Sequence, residues 1–163
     1  MLPDLPLHPM LVHFPIVLLT VGFAVDVAGL ALKKDWLLRA GLLLLILGTL
    51  GAIAARQSGK EEEETIIETP AIEETLDTHE DSGTFTMWFF VGITLVRAAL
   101  TFWKKFTPAM HWAFTILWAI GIALVIRTAY YGGTLVYNHG AGVAAGTAAG
   151  GSPGARAPEK HDD

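Results

Sequence analysis

Residues 9–32 read PMLVHFPIVLLTVGFAVDVAGLAL. Besides His13, the only ionisable side chain in this run is Asp26. A helix that spans a bilayer needs roughly 20 mainly apolar residues, so the run is long enough to cross a membrane. Three further stretches have the same character: WLLRAGLLLLILGTLGAIAA at 36–55, TFTMWFFVGITLVRAALTFW at 84–103 and WAFTILWAIGIALVIRTAYY at 112–131. The first run is not read as a cleaved signal peptide. No basic residue precedes Lys33, and the run is too long for a signal h-region.

Composition agrees. The chain has 163 residues, 52% hydrophobic and 17% charged, with no cysteine. A soluble domain usually carries about 25% charged residues. Mean hydropathy is +0.46. Four such helices in a chain this short leave too little polar surface to enclose them as a soluble core. Of the 16 acidic residues, 10 lie between Glu61 and Asp81. These features exclude a soluble globular enzyme, a basic nucleic-acid binder and a disulfide scaffold. Without cysteine the chain has no thiol nucleophile and cannot hold an iron–sulfur cluster.

The expected architecture is therefore an all-α integral membrane protein, an up-down four-helix bundle over residues 1–143. Short turns place consecutive spans side by side and antiparallel. Lys33, Lys34 and Arg39 flank the first turn, and Lys104 and Lys105 flank the third. By the positive-inside rule both turns face the cytoplasm. The termini and the acidic 56–83 loop then face the other side, the periplasm of a bacterial inner membrane. Trp36, Trp88, Trp103, Trp112, Tyr130 and Tyr131 sit at span ends, where amphipathic rings prefer the headgroup layer. Gly41, Gly48, Ala52 and Ala55 form a small-residue stripe on the second span, a surface for close helix packing. Gly132-Gly133 is read as the end of span four. Residues 144–163 read as a disordered Gly/Ala-rich tail.

Topology gathers four of the six histidines at the outer face: His8, His13, His79 and His139. His111 lies at the cytoplasmic end and His161 in the tail. Thr69-Pro70 reads as a helix start. From there His79, Gly83, Met87, Phe90, Thr94 and Arg97 fall on one face, directed to the bundle interior. On the first span His13, Phe14, Leu18 and Thr20 are expected to face inward, with a kink at Pro15. Imidazoles on facing helices suit a b-type haem. The expected axial ligands are His13 and His79. His8 and His139 would be substitutes or hydrogen-bonding neighbours, and Arg127 would pair with a propionate. The chain lacks CxxCH, so a covalent c-type haem is excluded. A plainer reading leaves the histidines in the interface, bonded to backbone and water. A third reading is a copper or zinc site using His8, His13, His79 and His139, with Met10 as a soft ligand for copper.

Asp26 and Arg97 are the deepest charges. Each lies seven residues before the lysines that end its span, at Lys33 and Lys104, so the two should share one depth. A lone charge at mid-membrane costs about 2.5–3.5 kcal/mol, which favours a structural ion pair between them. Arg39 is a competing partner for Asp26. A proton relay from His13 is disfavoured, because His13 and Asp26 lie about 140° apart on an ideal helix. The acidic run at 61–64 is a solvated surface. Its sharper reading is a docking face for a basic c-type cytochrome.

LHPMLVHFPIVLL at 7–19 and YGGTLVYNHGAGV at 131–143 resemble the two signature ends of a bacterial membrane-protein family, domain of unknown function 2231. The resemblance covers residues 7–143. It picks out His8, Pro9, His13, Phe14, Pro15, Gly133, Leu135, Val136, Tyr137, Gly140, Gly142 and Val143. His79 is similar to the histidine often found before the family's third helix. The resemblance implies four helices and a bacterial membrane, and it implies no chemistry. No nucleophile–base pair or paired catalytic carboxylates stand at recognisable spacing, so an electron-transfer or accessory subunit is expected rather than a stand-alone enzyme. The rival from another class is a cofactor-free structural subunit of a larger membrane complex.

Overall fold

The structure, a computed structural model, describes residues 7–63 and 70–141. They form α1 (Leu7–Leu11), α2 (His13–Leu32), α3 (Asp35–Glu63), α4 (Pro70–Phe102) and α5 (Pro108–Tyr137). No strand occurs among the described residues. Four helical spans are long and apolar enough to cross a membrane: Leu7–Leu32, Asp35–Glu61, Ile72–Phe102 and Pro108–Tyr137. The helices pack around a square in the order α2, α3, α4, α5, with α5 returning to α2 and α1 lying along α3. The chain is an all-α membrane bundle.

Two ends follow from this up-down path. At one, Lys33 and Lys104 close α2 and α4 in the left-handed conformation, each with φ 54°. The next backbone N–H reaches back to Gly29 O at 3.0 Å and to Leu100 O at 2.9 Å. Glycine usually takes such a position. Here lysine does, which places its charge at the negative end of each helix dipole. We call this the lysine end. The opposite end holds His8, His13, His79 and His139.

The exterior is apolar. Phe14, Leu43, Leu95, Trp103 and Ile126 are all exposed, as lipid-facing side chains are. The core is small: Leu19, Leu45, Phe90, Ile93, Phe114 and Trp118. Helices α2 and α3 approach closely through small residues. A Cβ on Gly48 would lie 2.7 Å from Leu19 Cγ, and one on Gly41 would lie 3.0 Å from Asp26 Oδ1.

Three expectations are corrected. The 56–83 segment is not a loop throughout. Helix α3 continues to Glu63 and α4 already begins at Pro70. Gly132-Gly133 does not end span four, because α5 runs through both to Tyr137. The chain turns instead at Gly140, with φ 68°. The inward face of the first span is Pro15, Leu19, Gly22, Asp26 and Gly29, not the His13, Phe14, Leu18 and Thr20 face. Phe14 is 61% exposed. The physical reason is Asp26, which must face the interior to meet a partner and so sets the rotation of the whole helix. The helix is interrupted at Val12, three residues before Pro15, whose missing N–H removes one bond from that turn. The Thr69 cap, part of the acidic run, Gly142, Val143 and the 144–163 tail lie outside the described residues.

Candidate functional site at the histidine end

His8 and His79 meet at this end. Their ring centroids are 6.3 Å apart and the planes stand nearly perpendicular, at 81°. The His8 Nδ1 donates to Ala55 O at 2.8 Å and lies 3.1 Å from Ser58 Oγ. The His79 Nδ1 donates to Thr128 O at 3.0 Å. A carbonyl oxygen only accepts, so in both rings Nδ1 carries the proton. In a neutral imidazole the lone pair then sits on Nε2. Metal-bound histidines are commonly fixed in this way, with the second nitrogen on a backbone carbonyl.

Glycines make room for both rings. A Cβ on Gly59 would sit 3.1 Å from His8 Cε1, and one on Gly132 would sit 3.0 Å from His79 Cε1. His8 therefore nests against α3 and His79 against α5. Beside them Arg56 pairs with Glu80 at 3.2 Å and donates to Thr84 Oγ1 at 2.7 Å, which ties α3 to α4. Towards the chain ends Ile72, Leu76 and Leu135 form a small apolar cluster with Ala141 packed on it.

The other expected members of the site go elsewhere. His13 is exposed, and its Nδ1 donates to Pro9 O of α1 at 2.6 Å, across the break at Val12. It does not face His79. Met10 is exposed. His139 packs back on α4, with Nε2 3.3 Å from Thr75 Oγ1, rather than reaching His8 and His13. Arg127 is exposed and lies over the Tyr131 ring at 5.6 Å, on the outside of the bundle and away from the imidazole pair. Among the described residues no group of three or more His, Cys, Asp or Glu side chains is placed to hold a metal ion.

The sequence did hold the signal for His8. Stepping back from Asp26 along its buried face gives Gly22, Leu19 and Pro15, and one further heptad gives His8. The small-residue stripe of α3 likewise continues one turn beyond Ala55 to Gly59, where the His8 ring rests. Arg56, Thr84 and Thr128 carried no motif, and only packing reveals them.

Below the mouth the interior carries hydroxyls and one ion pair. Thr86 and Thr128 hydroxyls lie 3.1 Å apart and those of Thr49 and Thr94 2.8 Å apart. Between these pairs Phe90 is fully buried, with its ring against Gly121. Deeper still, Arg97 Nη2 donates to Asp26 Oδ1. Asp26 is 0% exposed and Arg97 2%. The pair crosses the diagonal of the square, from α2 to α4. Gly41 of α3 packs on Asp26, and Thr115 of α5 donates to its other oxygen at 3.4 Å. Arg39, the competing partner, is exposed.

Residues 4–145 match the model of a family described as predicted membrane protein (DUF2231), and the chain belongs to that family. No curated protein and no solved structure matches it.

Proposed function

For this member of a membrane-protein family, we propose a haem b-binding electron-transfer subunit whose iron is held by His8 and His79. The observation that carries the reading is the pair itself. Two imidazoles from different helices converge, each with its proton fixed on Nδ1 by a backbone carbonyl. The 6.3 Å between their centroids brings the two rings close enough to share one metal centre. Haem would supply four nitrogens of its own, and His8 and His79 would be the residues that hold its iron. A tetrahedral zinc ion asks for more donors than this pair offers. His13, the ligand expected from the sequence, is replaced by His8. Arg127 and His139 are given no contact with the group.

The lysines and arginines at the opposite end support a bacterial inner-membrane setting with the histidine end periplasmic. A c-type cytochrome is then the proposed electron partner, steered by the acids around Glu80.

Copper is the second reading, since soft Cu(I) accepts few ligands and imidazole suits it. The third is a cofactor-free subunit of a larger complex, supported by the tight seating of both rings against glycines. The test is a reduced-minus-oxidised spectrum with metal analysis on protein purified in detergent. A Soret band present in the wild type and in His13→Ala, but lost in His8→Ala and His79→Ala, is expected. Stoichiometric copper without a chromophore moves the assignment to the second reading. Neither, with other subunits co-purifying, moves it to the third.

A further inference from the structure

At the lysine end the helices line an open pocket of about 170 Å³. Leu38, Leu42 and Phe106 supply apolar wall, and Arg39, Arg97 and His111 are the basic groups that line it. One of these is an unfinished donor, and another carries a buried ring nitrogen without a partner. Arg97 spends Nη2 on Asp26, but its Nη1 is buried with no hydrogen-bond partner among the described residues. His111 is held by Phe106, the ring centroids 4.3 Å apart, and its Nδ1 is likewise buried and unpartnered. A guanidinium keeps all its donors at every physiological pH, and leaving a buried charged donor unpaired costs more than the 1–3 kcal/mol of a neutral one. The Phe106 and Trp118 rings flank the guanidinium, 5.7 and 5.6 Å from its carbon, and leave Nη1 open to a polar ligand.

The charge around the pocket identifies which kind. Asp26 balances Arg97, and Asp35 is the acid among the residues that line the pocket. Lys33, Lys34, Lys104 and Lys105 stand exposed at this end, and Asp35, next to Lys34, offsets one of these four charges. An anion is drawn in rather than a cation. Arg39, Arg97 and His111 bring basic groups of α3, α4 and α5 to one pocket, which suits a tetrahedral oxyanion with several acceptor oxygens. We propose that this pocket binds a phosphate group through Arg97 Nη1, His111 Nδ1 and the Arg39 guanidinium. The group comes either from an anionic phospholipid headgroup at the membrane surface or from a soluble phosphate. Basic pockets between spanning helices are known to take lipid headgroups. The proposal is independent of the haem reading and uses the opposite end of the bundle.

The test uses the full chain in detergent. Thermal unfolding is followed with inorganic phosphate against chloride at matched ionic strength. Retention of phosphatidylglycerol against phosphatidylcholine is followed by native mass spectrometry. Arg97 is left intact because its pair with Asp26 holds the core, so the variants are Arg39→Gln and His111→Leu. Phosphate stabilises the protein above chloride, or phosphatidylglycerol is retained above phosphatidylcholine, and each variant weakens the effect about tenfold, the scale of one charge-assisted hydrogen bond. A response to the lipid alone assigns the headgroup source, and a response to phosphate alone assigns the soluble one. If neither ligand outperforms its control, or if both variants respond as the wild type does, the proposal is overturned.

Discussion

The centre and the histidine end of the bundle both place polar groups inside a membrane protein, but they hold them in different ways. At the centre, Asp26 and Arg97 are buried and answer each other's charge. At the mouth, His8 and His79 face one another, yet each is held by a carbonyl of a neighbouring helix. A charge sealed in the core must keep its partner or the core fails. A neutral ring anchored to backbone can be removed with only local loss. The first arrangement is structural. The second seats two imidazoles from different helices face to face, and the proposed function rests on that pair.

The sharpest break of this contrast is at the centre. Arg97→Leu strands the Asp26 carboxylate in the core and is expected to destabilise by about 3–5 kcal/mol, read as a large drop in thermal midpoint or loss of the folded protein from detergent extracts. Asp26→Asn should show the same direction, and Asp26→Leu with Arg97→Leu should recover most of the loss. If either single variant keeps wild-type stability, the ion pair does not hold the centre. At the mouth, Gly132→Val pushes a side chain into the space of the His79 ring and should cost about 1–3 kcal/mol. It should also abolish any chromophore that depends on His79. Helix assembly survives because the ring, rather than backbone, gives way.

Smaller effects test the hydroxyls of the interior. Thr49→Val leaves the Thr94 hydroxyl without its interhelical partner and is expected to cost about 1 kcal/mol. Thr49→Val with Thr94→Val should be closer to neutral than the two single losses summed, which a double-mutant cycle measures. The smallest effect separates His13 from His8. His13→Ala is expected to stay within about 0.5 kcal/mol of the wild type and to keep any bound group, while His8→Ala loses the group. Equal behaviour of the two variants would erase the distinction between the exposed and the converging histidine.

Much of this was legible in the sequence, because a bilayer constrains sequence strongly. Only a helix satisfies its own backbone in lipid, so four apolar runs determined four helices. The depth of Asp26 and Arg97 followed from counting to the lysines. The small-residue stripe on 36–55 marked the α2–α3 contact that Gly41 and Gly48 make. The site was half legible. His79 was placed because α4 is one unbroken helix from Pro70 and its face could be followed to Arg97. His8 and His13 were harder to tell apart. They lie five residues apart and differ by about 140° around the axis, and the proline between them and the core interrupts the count. Asp26 held the answer, since the face that buries it includes His8 and excludes His13.

By itself the sequence determined the class of molecule, the number of spans and the end at which the histidines gather. Those properties depend on how many apolar residues follow one another and where charges interrupt them, which is information carried along the chain. Tertiary structure decided which histidines meet, that Arg127 lies outside the bundle, and that Arg97 and His111 share a pocket at the far end. These depend on the rotation of each helix about its own axis. That rotation is set by partners on other helices, by Asp26 against Arg97 and by glycines that admit a ring, and no single stretch of sequence contains both sides of such a contact.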